Sequence, residues 1–402
     1  MRRNVNLGIM GLVFNSGNKG CAALGYSFVQ VLEQVAETIN VDICLYVFVP
    51  VDIQRYLLKP GYKKEFLPKG NYTHIKSFLV ALDNKRFSFI CKNAIKKCEV
   101  IFDFTAGDSF SDIYGEERFF NDIYYKKMMS ENTSLVLGSQ TYGPFKNPKV
   151  KKAAEDIIKN AYEVFARDQI SWEVVKECSG RDAILTSDIA FELKYNKENN
   201  LQRNGKIKIG LNPSGLLWSG GYTKNNQFGL KADYKDYCRR LIEQLLASKQ
   251  YEIHLIPHVF TGNPNIIDND MIACNELKKQ FPELIQAPCY ELPMEIKAYI
   301  SQMDLFIGSR MHATIGAVSA GVATIPYSYS RKFEGLYSSL EYPYVISGTS
   351  IDTEDALKKT LDWIDSLPEL KRAAQESARI ATEKNRIIYK RTGKIIKEVC
   401  EK

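Results

Sequence analysis

The stretch DLFIGSRMHATIGAVSAG, Asp304–Gly321, reads as a strand, a turn and a helix in immediate succession. Asp304–Gly308 is an apolar run of strand length, Ser309 is a residue of the N-cap type, and Gly321 is suited to the left-handed position that closes a helix. The helix is expected over Met311–Ala320. Arg310 and His312 then stand at a helix N-terminus, just beyond the carboxyl end of a buried strand. Free backbone N–H groups, the helix dipole and an arginine fork together make an anion site. The dipole disfavours a protonated histidine, whereas an adjacent phosphate would favour one. A purely structural Arg/His pair is the competing reading.

The same strand–helix rhythm runs outward in both directions. Strands are expected at Val5–Val13, Val41–Val49, Glu99–Phe104, Ser134–Gly138, Tyr162–Ala166 and Ala183–Thr186. The polar stretch KYNKENNLQRNGK, residues 194–206, reads as a linker. Beyond it the rhythm restarts in IKIGLNPSG, YEIHLIPH, VATIPYSY and YVISG, with a helix at Tyr234–Ser248. Strands separated by helices argue for parallel sheets with crossover helices. The fold class is therefore α/β, with two Rossmann-like domains facing across a cleft lined by strand-end loops. The expected division is an N-terminal domain over 1–195, a C-terminal domain over 205–350, and C-terminal helices over 351–402 that pack back on the first domain.

Composition narrows the function class. The 402 residues are 45% hydrophobic and 25% charged, an ordinary globular balance with room for two cores. Nine cysteines occur without any C-x-x-C, and four histidines leave little for a zinc site, so no metal is expected. The thiols read as reduced core filler, consistent with a cytoplasmic protein. The start MRRNVNLGIM lacks the unbroken apolar core of an export signal, and runs such as ICLYVFV are too short to span a membrane. Of the net charge of +7, most sits in residues 371–402, which carry ten Lys/Arg against four Glu. That tail reads as a helix packing Ile380, Ile387, Ile388 and Ile395 inward. Its basic face offers peripheral contact with acidic lipid headgroups at the inner membrane face. Nucleic acid is not an expected partner, because the basic residues are not interleaved with stacking aromatics.

Other strand ends carry polar groups. FNSGNKGCAALG, Phe14–Gly25, has the position of a phosphate loop but neither the dinucleotide glycine spacing nor the P-loop lysine. Its glycines read as a tight turn, and Asn15, Asn18 and Lys19 as candidates to touch an acceptor sugar or a donor carboxylate. FDFTAGDSFSDIYG brings Asp108, Ser109 and Asp112 to the end of another strand, as helix caps or as sugar ligands and a base. Gln140 follows Ser134–Gly138, Arg167 follows Tyr162–Ala166, and His258 follows Tyr251–Ile256, with Asp268 and Asp270 further on. Arg331 and Lys332 follow the strand ending at Tyr327 and offer a second phosphate contact.

Taken in order, NSGNKGCAAL, GDSFSDIYG, SQTYGPF, ARDQIS, SDIAF, GLNPSGLL, IPH, GSRMHATIGAVSAGV and YSRKFEGL resemble the polysaccharide pyruvyl transferase family across residues 15–336. The resemblance implies an architecture similar to the GT-B glycosyltransferases. It also implies transfer of the enolpyruvyl-derived group of phosphoenolpyruvate to two hydroxyls of a sugar, leaving a pyruvate ketal and phosphate. Arg310, Met311 and His312 match the family's R-x-H, and Arg167 matches the arginine of its R-[DE]-x-x-S. These residues, with Lys332, are the implied phosphoenolpyruvate ligands. One departure is Ala106-Gly107, where relatives commonly carry Gly-Gly.

The implied chemistry agrees with the residues. Phosphoenolpyruvate is a co-substrate with a phosphate and a carboxylate, so two arginines on opposite walls form a clamp, and no cofactor is called for. Ketal formation needs a proton on the methylene carbon, for which His312 is the candidate acid and Arg310 the stabiliser of departing phosphate. Asp108 is the candidate base. Asn15, Asn18, Lys19, Asp112, Gln140 and His258 are candidates on the acceptor side, the acceptor being a nucleotide-linked or lipid-linked sugar of a bacterial surface glycan. Two other readings compete. A nucleotide-sugar glycosyltransferase of the same architecture would carry an E-x7-E pair, but Glu334 and Glu341 have only six residues between them. A non-catalytic module binding an anionic glycan would tolerate loss of His312.

Overall fold

The computed structural model describes residues 2–50, 72–82, 88–198, 200–202, 204–261 and 266–401. The chain divides into two compact units. The first comprises Met1–Asn15, Leu24–Glu192 and Thr382–Lys402; the second comprises Ser16–Ala23 and Leu193–Ala381. The start of the linker expected at 194–206 thus coincides with the passage between units, while Ser16–Ala23 departs from the expected 1–195 assignment and clusters with the second unit.

The first unit runs β1 (Arg3–Met10), α1 (Lys19–Ile39, whose first turn belongs to the second unit), β2 (Val41–Pro50), β3 (Ile75–Leu82), α2 (Ser88–Lys97), β4 (Val100–Asp103), α3 (Glu116–Ser130), β5 (Ser134–Gln140), α4 (Pro148–Asn160), β6 (Glu163–Ala166), α5 (Gln169–Ser179) and β7 (Ile184–Leu185). Its strands form one sheet in the order β3-β2-β1-β4-β5-β6-β7, parallel at every described pairing. The strands are near-continuous apolar runs because helices cover both faces of a parallel sheet. Leu7, Ile9, Leu45, Val47, Val100, Ile101, Val136 and Leu137 are all fully buried.

The second unit repeats the scheme with β8 (Ile207–Asn212), α6 (Gly215–Trp218), α7 (Tyr234–Ala247), β9 (Tyr251–Leu255), α8 (Asp270–Gln280), β10 (Ile285–Gln286), α9 (Pro293–Ile300), β11 (Leu305–Gly308), α10 (Met311–Ser319), β12 (Ala323–Ser328), α11 (Arg331–Ser339), β13 (Ile346–Ser347) and α12 (Thr353–Ile364). The sheet order is β10-β9-β8-β11-β12-β13, again parallel throughout. Both sheets therefore reverse direction once, between β1 and β4 and between β8 and β11. In open α/β sheets ligands bind outside the carboxyl ends of the strands at such a switch point.

The long helix α13, Leu367–Cys400, begins in the second unit and ends in the first. In the second unit Leu370 and Ala374 are buried and the Ser377 hydroxyl donates to the Leu340 carbonyl at 2.9 Å. In the first unit Asn385 is the anchor: its Oδ1 accepts from Ser187 N–H at 2.9 Å and its Nδ2 donates to the Asp188 carbonyl at 3.2 Å. Ile388 and Ile395 are buried, whereas Ile380 and Ile387 are only half-buried.

Two strands, β3 and β10, escape sequence reading. Both are edge strands, and β10, at two residues, is too short to carry a sustained pattern. The nine cysteines form no disulfide. Among the described residues, no helix is long and apolar enough to cross a membrane.

Candidate functional site

In the second unit, β11 delivers Arg310 and His312 to the switch point beside β8. The helix begins at Met311, as expected, but its N-cap is Arg310, in extended backbone, and Gly321 takes the left-handed conformation at φ +73°. Ser309 is not the cap, because its hydroxyl pairs with the Tyr234 hydroxyl at 2.7 Å inside the unit. Asn212 at the end of β8 binds the turn directly, its Oδ1 accepting from Arg310 N–H at 3.0 Å. Farther along α10, Thr314 is held by Tyr337, whose hydroxyl donates to Thr314 Oγ1 at 2.7 Å. The helix carrying His312 is thus fixed at its start and in its second turn.

Arg310 is 7% exposed and its fork is occupied by carboxylates. Nε and Nη2 donate to Asp270 Oδ1 at 3.0 and 2.7 Å, Nη1 donates to Asp268 Oδ1 at 2.7 Å, and Nη2 also reaches the Asp268 carbonyl at 2.7 Å. Burial works against its charge, but Asp270 and Asp268 outweigh that and hold the guanidinium pKa above its ordinary value. Four of its five N–H donors are thereby accounted for. The anion-binding capacity of this turn accordingly rests less on a bare guanidinium than on the helix N-terminus and its imidazole.

The first loop joins this turn. Gly17 and Asn18 pair with the segment after β9: Phe260 N–H donates to the Gly17 carbonyl at 2.9 Å, and Lys19 N–H donates to the His258 carbonyl at 3.1 Å. Asn18 is the cap of α1, its Oδ1 accepting from Gly20 N–H at 3.0 Å. A Cβ on Gly20 would lie 2.5 Å from His312 Nδ1, so only glycine admits the imidazole there. Gly20→Ala is expected to leave the fold intact but to displace the His312 ring, lowering turnover by about a hundredfold. Unaltered turnover with a native circular dichroism spectrum would refute that contact.

Lys19 is 7% exposed, its ammonium lying 4.8 Å from the Phe260 ring centroid. Burial lowers its pKa, opposed by the charges of Glu291, Cys289 and Glu295. His258 is buried, and burial pushes its pKa well down, with His312, Arg310 and Lys19 acting in the same direction. His258 is therefore a neutral imidazole near pH 7. Lys332 lies half-buried in the first turn of α11, and Met311 is 4% exposed.

The buried histidines make stability pH-dependent. His254, also buried, bonds Tyr299 Oη at 2.7 Å and Glu252 Oε1 at 2.9 Å, and burial lowers its pKa too. Both histidines have folded pKa values below the unfolded value of about 6.5, so the unfolded chain takes up protons first as pH falls. Stability is expected to decline as pH drops below about 6.5, with a slope of at most about 1.4 kcal/mol per pH unit for each histidine. Denaturant titrations between about pH 7 and 5 check this, and a flat profile over that range would contradict it.

In the first unit the candidates gather at the ends of β4, β5 and β6. Thr105, Ala106 and Gly107 follow β4 in left-handed backbone at φ 42°, 54° and 88°. Ala106 thus adopts the conformation that glycine would favour, at a cost of about 1–2 kcal/mol. The turn is held by a buried clasp: Thr105 Oγ1 donates to Asp103 Oδ2 at 2.8 Å, and Lys126, fully buried, forms an ion pair with the same carboxylate. Asp108 is half-buried and accepts from the Tyr114 hydroxyl at 3.0 Å. Asp112 Oδ2 accepts from the backbone N–H groups of Lys146 and Asn147 at 2.6 and 3.0 Å, the contacts of a loop clamp. Gln140 is fully buried and donates through Nε2 to the Asp103 carbonyl at 3.0 Å. Asn15 is exposed.

Arg167 is 1% exposed. Its Nη1 donates to Asp188 Oδ2 at 3.0 Å, while Asp168, at 3.9 Å from Nε, is committed to capping α5 through Ser171 N–H. Nε and Nη2 are buried without a hydrogen-bond partner among the described residues. A buried guanidinium so incompletely satisfied retains donors with which an anion could pair. Among the described residues, no cluster of His, Cys, Asp or Glu is arranged to hold a metal ion. Sequence reading noted Asp270 only as an acid beyond His258, without a role, and passed over Lys126, because nothing local shows that their side chains turn inward.

The chain was compared with known proteins. The sequence pattern of the polysaccharide pyruvyl transferase family matches residues 18–331. No curated protein sequence matches it. Among solved structures, the chain is similar to a putative UDP-N-acetylglucosamine 2-epimerase from Listeria monocytogenes, with TM-score 0.57 and 12% identity over 96% of this chain and 95% of that one. Sucrose-phosphate synthase from Thermosynechococcus elongatus aligns with TM-score 0.59 and 8% identity over 99% of both chains. Anabaena HepE in complex with UDP-glucose aligns with TM-score 0.52 and 10% identity over 98% of both. At such identities the likeness is one of fold, and the fold is that of GT-B enzymes.

Proposed function

The chain belongs to the polysaccharide pyruvyl transferase family, and from that premise we propose that it transfers the enolpyruvyl-derived group of phosphoenolpyruvate to two hydroxyls of one sugar. The product is a cyclic pyruvate ketal on a precursor of a bacterial surface glycan, and phosphate leaves. The observation that carries this reading is the Arg310–His312 turn at the switch point of the second sheet, inside the matched residues.

The residues divide the work as follows. The N–H groups opening α10 meet the phosphate, with Lys332 as a further cation. His312, protonated when that dianion is beside it, gives its proton to the methylene carbon, making the central carbon electrophilic. A sugar hydroxyl adds to that carbon, phosphate departs, and a second hydroxyl closes the ketal; one hydroxyl proton restores His312 and the other leaves with phosphate. Arg310 stabilises the departing phosphate through the frame it holds and its remaining N–H. In the first unit, Arg167 is assigned to an anionic substrate group because its Nε and Nη2 are buried without a hydrogen-bond partner among the described residues. Asp108 is assigned as the base, and Asn15, Lys19, Gln140 and His258 remain candidates for the acceptor. The capping of Asn18 and the loop-clamp bonding of Asp112 argue for structural duty instead.

The test is to offer phosphoenolpyruvate with a panel of nucleotide-linked and lipid-linked sugars and to follow phosphate release and product mass. An acceptor-dependent release with a product heavier by one ketal-linked pyruvate supports the proposal. Consumption of a nucleotide sugar in place of phosphoenolpyruvate would replace it with glycosyl transfer.

A further inference from the structure

We propose that Asp270 is the positioning residue of the centre in the second unit, acting through Arg310 and the strand-end loop that carries His258. For its catalytic readout, the inference rests on the function proposed above. Asp270 opens α8, yet its side chain turns inward and is 0% exposed. Its carboxylate gathers donors from three strand-end loops. Oδ1 accepts from Gly215 N–H after β8 at 2.9 Å and from Arg310 Nε and Nη2 after β11 at 3.0 and 2.7 Å. Oδ2 accepts from His258 N–H and Val259 N–H after β9 at 2.9 and 2.8 Å, and from Asn212 Nδ2 at 3.4 Å. Its own N–H closes the arrangement by donating to the Val259 carbonyl at 2.7 Å.

Every one of these partners is a donor, so the site requires an ionised carboxylate rather than an amide. The bonds fix the plane of the guanidinium and the backbone at His258, and Asn212 in turn holds the Arg310 N–H that begins the helix of His312. The charge of Asp270 also balances that of Arg310, so that an incoming anion is met by the helix N-terminus and the imidazole. Asp268 is the internal control. It touches the same guanidinium, but its side chain is 20% exposed and its further side-chain bond is a 3.4 Å contact from the exposed Tyr222 hydroxyl, against the backbone N–H groups of two loops that Asp270 holds. The backbone is packed so closely here that a Cβ on Gly215 would lie 2.0 Å from the Asn269 carbonyl oxygen. A small displacement of Asp270 therefore moves the loops rather than being absorbed.

The experiment compares Asp270→Asn, Asp270→Glu and Asp268→Asn in the full chain. The readouts are kcat and KM for phosphoenolpyruvate, and the dissociation constant for inorganic phosphate by titration calorimetry. Asp270→Asn is expected to lower kcat by about a hundredfold and to weaken phosphate binding at least about tenfold. Asp268→Asn should change both by less than about fivefold, as suits a part-exposed partner. Asp270→Glu keeps the charge but moves it by one methylene, so phosphate binding should stay within about fivefold of the parent while kcat falls at least about tenfold. In the cycle with Arg310→Lys, the double variant should be no worse than Arg310→Lys by more than about threefold, because both act through one group. Full kcat in Asp270→Glu, parental phosphate binding in Asp270→Asn, or additive losses in the cycle would each overturn the assignment. If Asp270→Asn fails to fold, the glutamate variant decides. If the parent protein consumes no phosphoenolpyruvate, the functional reading fails, and the phosphate titrations still decide the role of Asp270.

Discussion

His312→Ala is expected to lower turnover with phosphoenolpyruvate by about 10²–10⁴-fold, the range lost when a positioned general acid is removed. The imidazole sits in the first turn of α10, on a helix fixed by Asn212 at its start and by Tyr337 through Thr314, and against Gly20, which leaves no room for a side chain. Alanine is a good helix residue, so the fold should survive and the effect should appear in kcat. Phosphate binding should weaken far less, because the helix N–H groups remain. Rapid-quench measurement of phosphate release, with calorimetric titration of inorganic phosphate on the same variant, separates the two. Turnover within about tenfold of the parent would remove His312 from the role of acid, and loss of binding equal to loss of turnover would make it a ligand only.

The second large effect is expected at Arg310. Arg310→Ala leaves Asp270 fully buried with its charge uncompensated, a change that costs about 3–5 kcal/mol in a buried pair. Arg310→Lys keeps the charge but replaces a planar fork with a point donor. It cannot reproduce the bonds from Nε, Nη1 and Nη2 to Asp270 and Asp268. The lysine variant should therefore lose roughly half of that stability, about 2 kcal/mol, and weaken phosphoenolpyruvate binding at least about tenfold. Urea unfolding and the KM for phosphoenolpyruvate report the two effects. Parental stability in Arg310→Ala would show that the pair contributes nothing net to folding. Unchanged KM in Arg310→Lys would show that the fork does not serve the anion site.

Much of the fold was legible because parallel sheets covered on both faces impose apolar runs with polar turns between them. The strands over Val41–Pro50, Ser134–Gln140, Ala323–Ser328 and Leu305–Gly308 stand where the apolar runs stand, within a residue or two at their ends. What escaped were the edges, β3 and β10, and the exact cap of α10, where Ser309 has the chemistry of an N-cap but is drawn inward by Tyr234. The site was legible as a set of strand-end residues and illegible as a set of contacts. Arg310 and Arg167 are both salt-bridged from within their own units, to Asp270 and Asp268 in one case and to Asp188 in the other. Only for Arg167 do two nitrogens remain buried without partners among the described residues. Asn18 and Asp112, read as sugar ligands, are engaged in capping and loop closure, which short polar side chains next to turns do with equal chemistry.

By itself the sequence determined the α/β class, the strand–turn–helix that presents Arg310 and His312, and the family to which the chain belongs. Those features are local or ordered along the chain, and hydrophobic period, capping residues and motif order report them directly. The tertiary structure alone decided that Ser16–Ala23 joins the second unit, that Gly20 abuts His312, and that Asp270 ties three strand-end loops to one guanidinium. Those facts depend on which residues distant in sequence are brought within about 3 Å of one another, the reach of a hydrogen bond, and no local pattern encodes that distance.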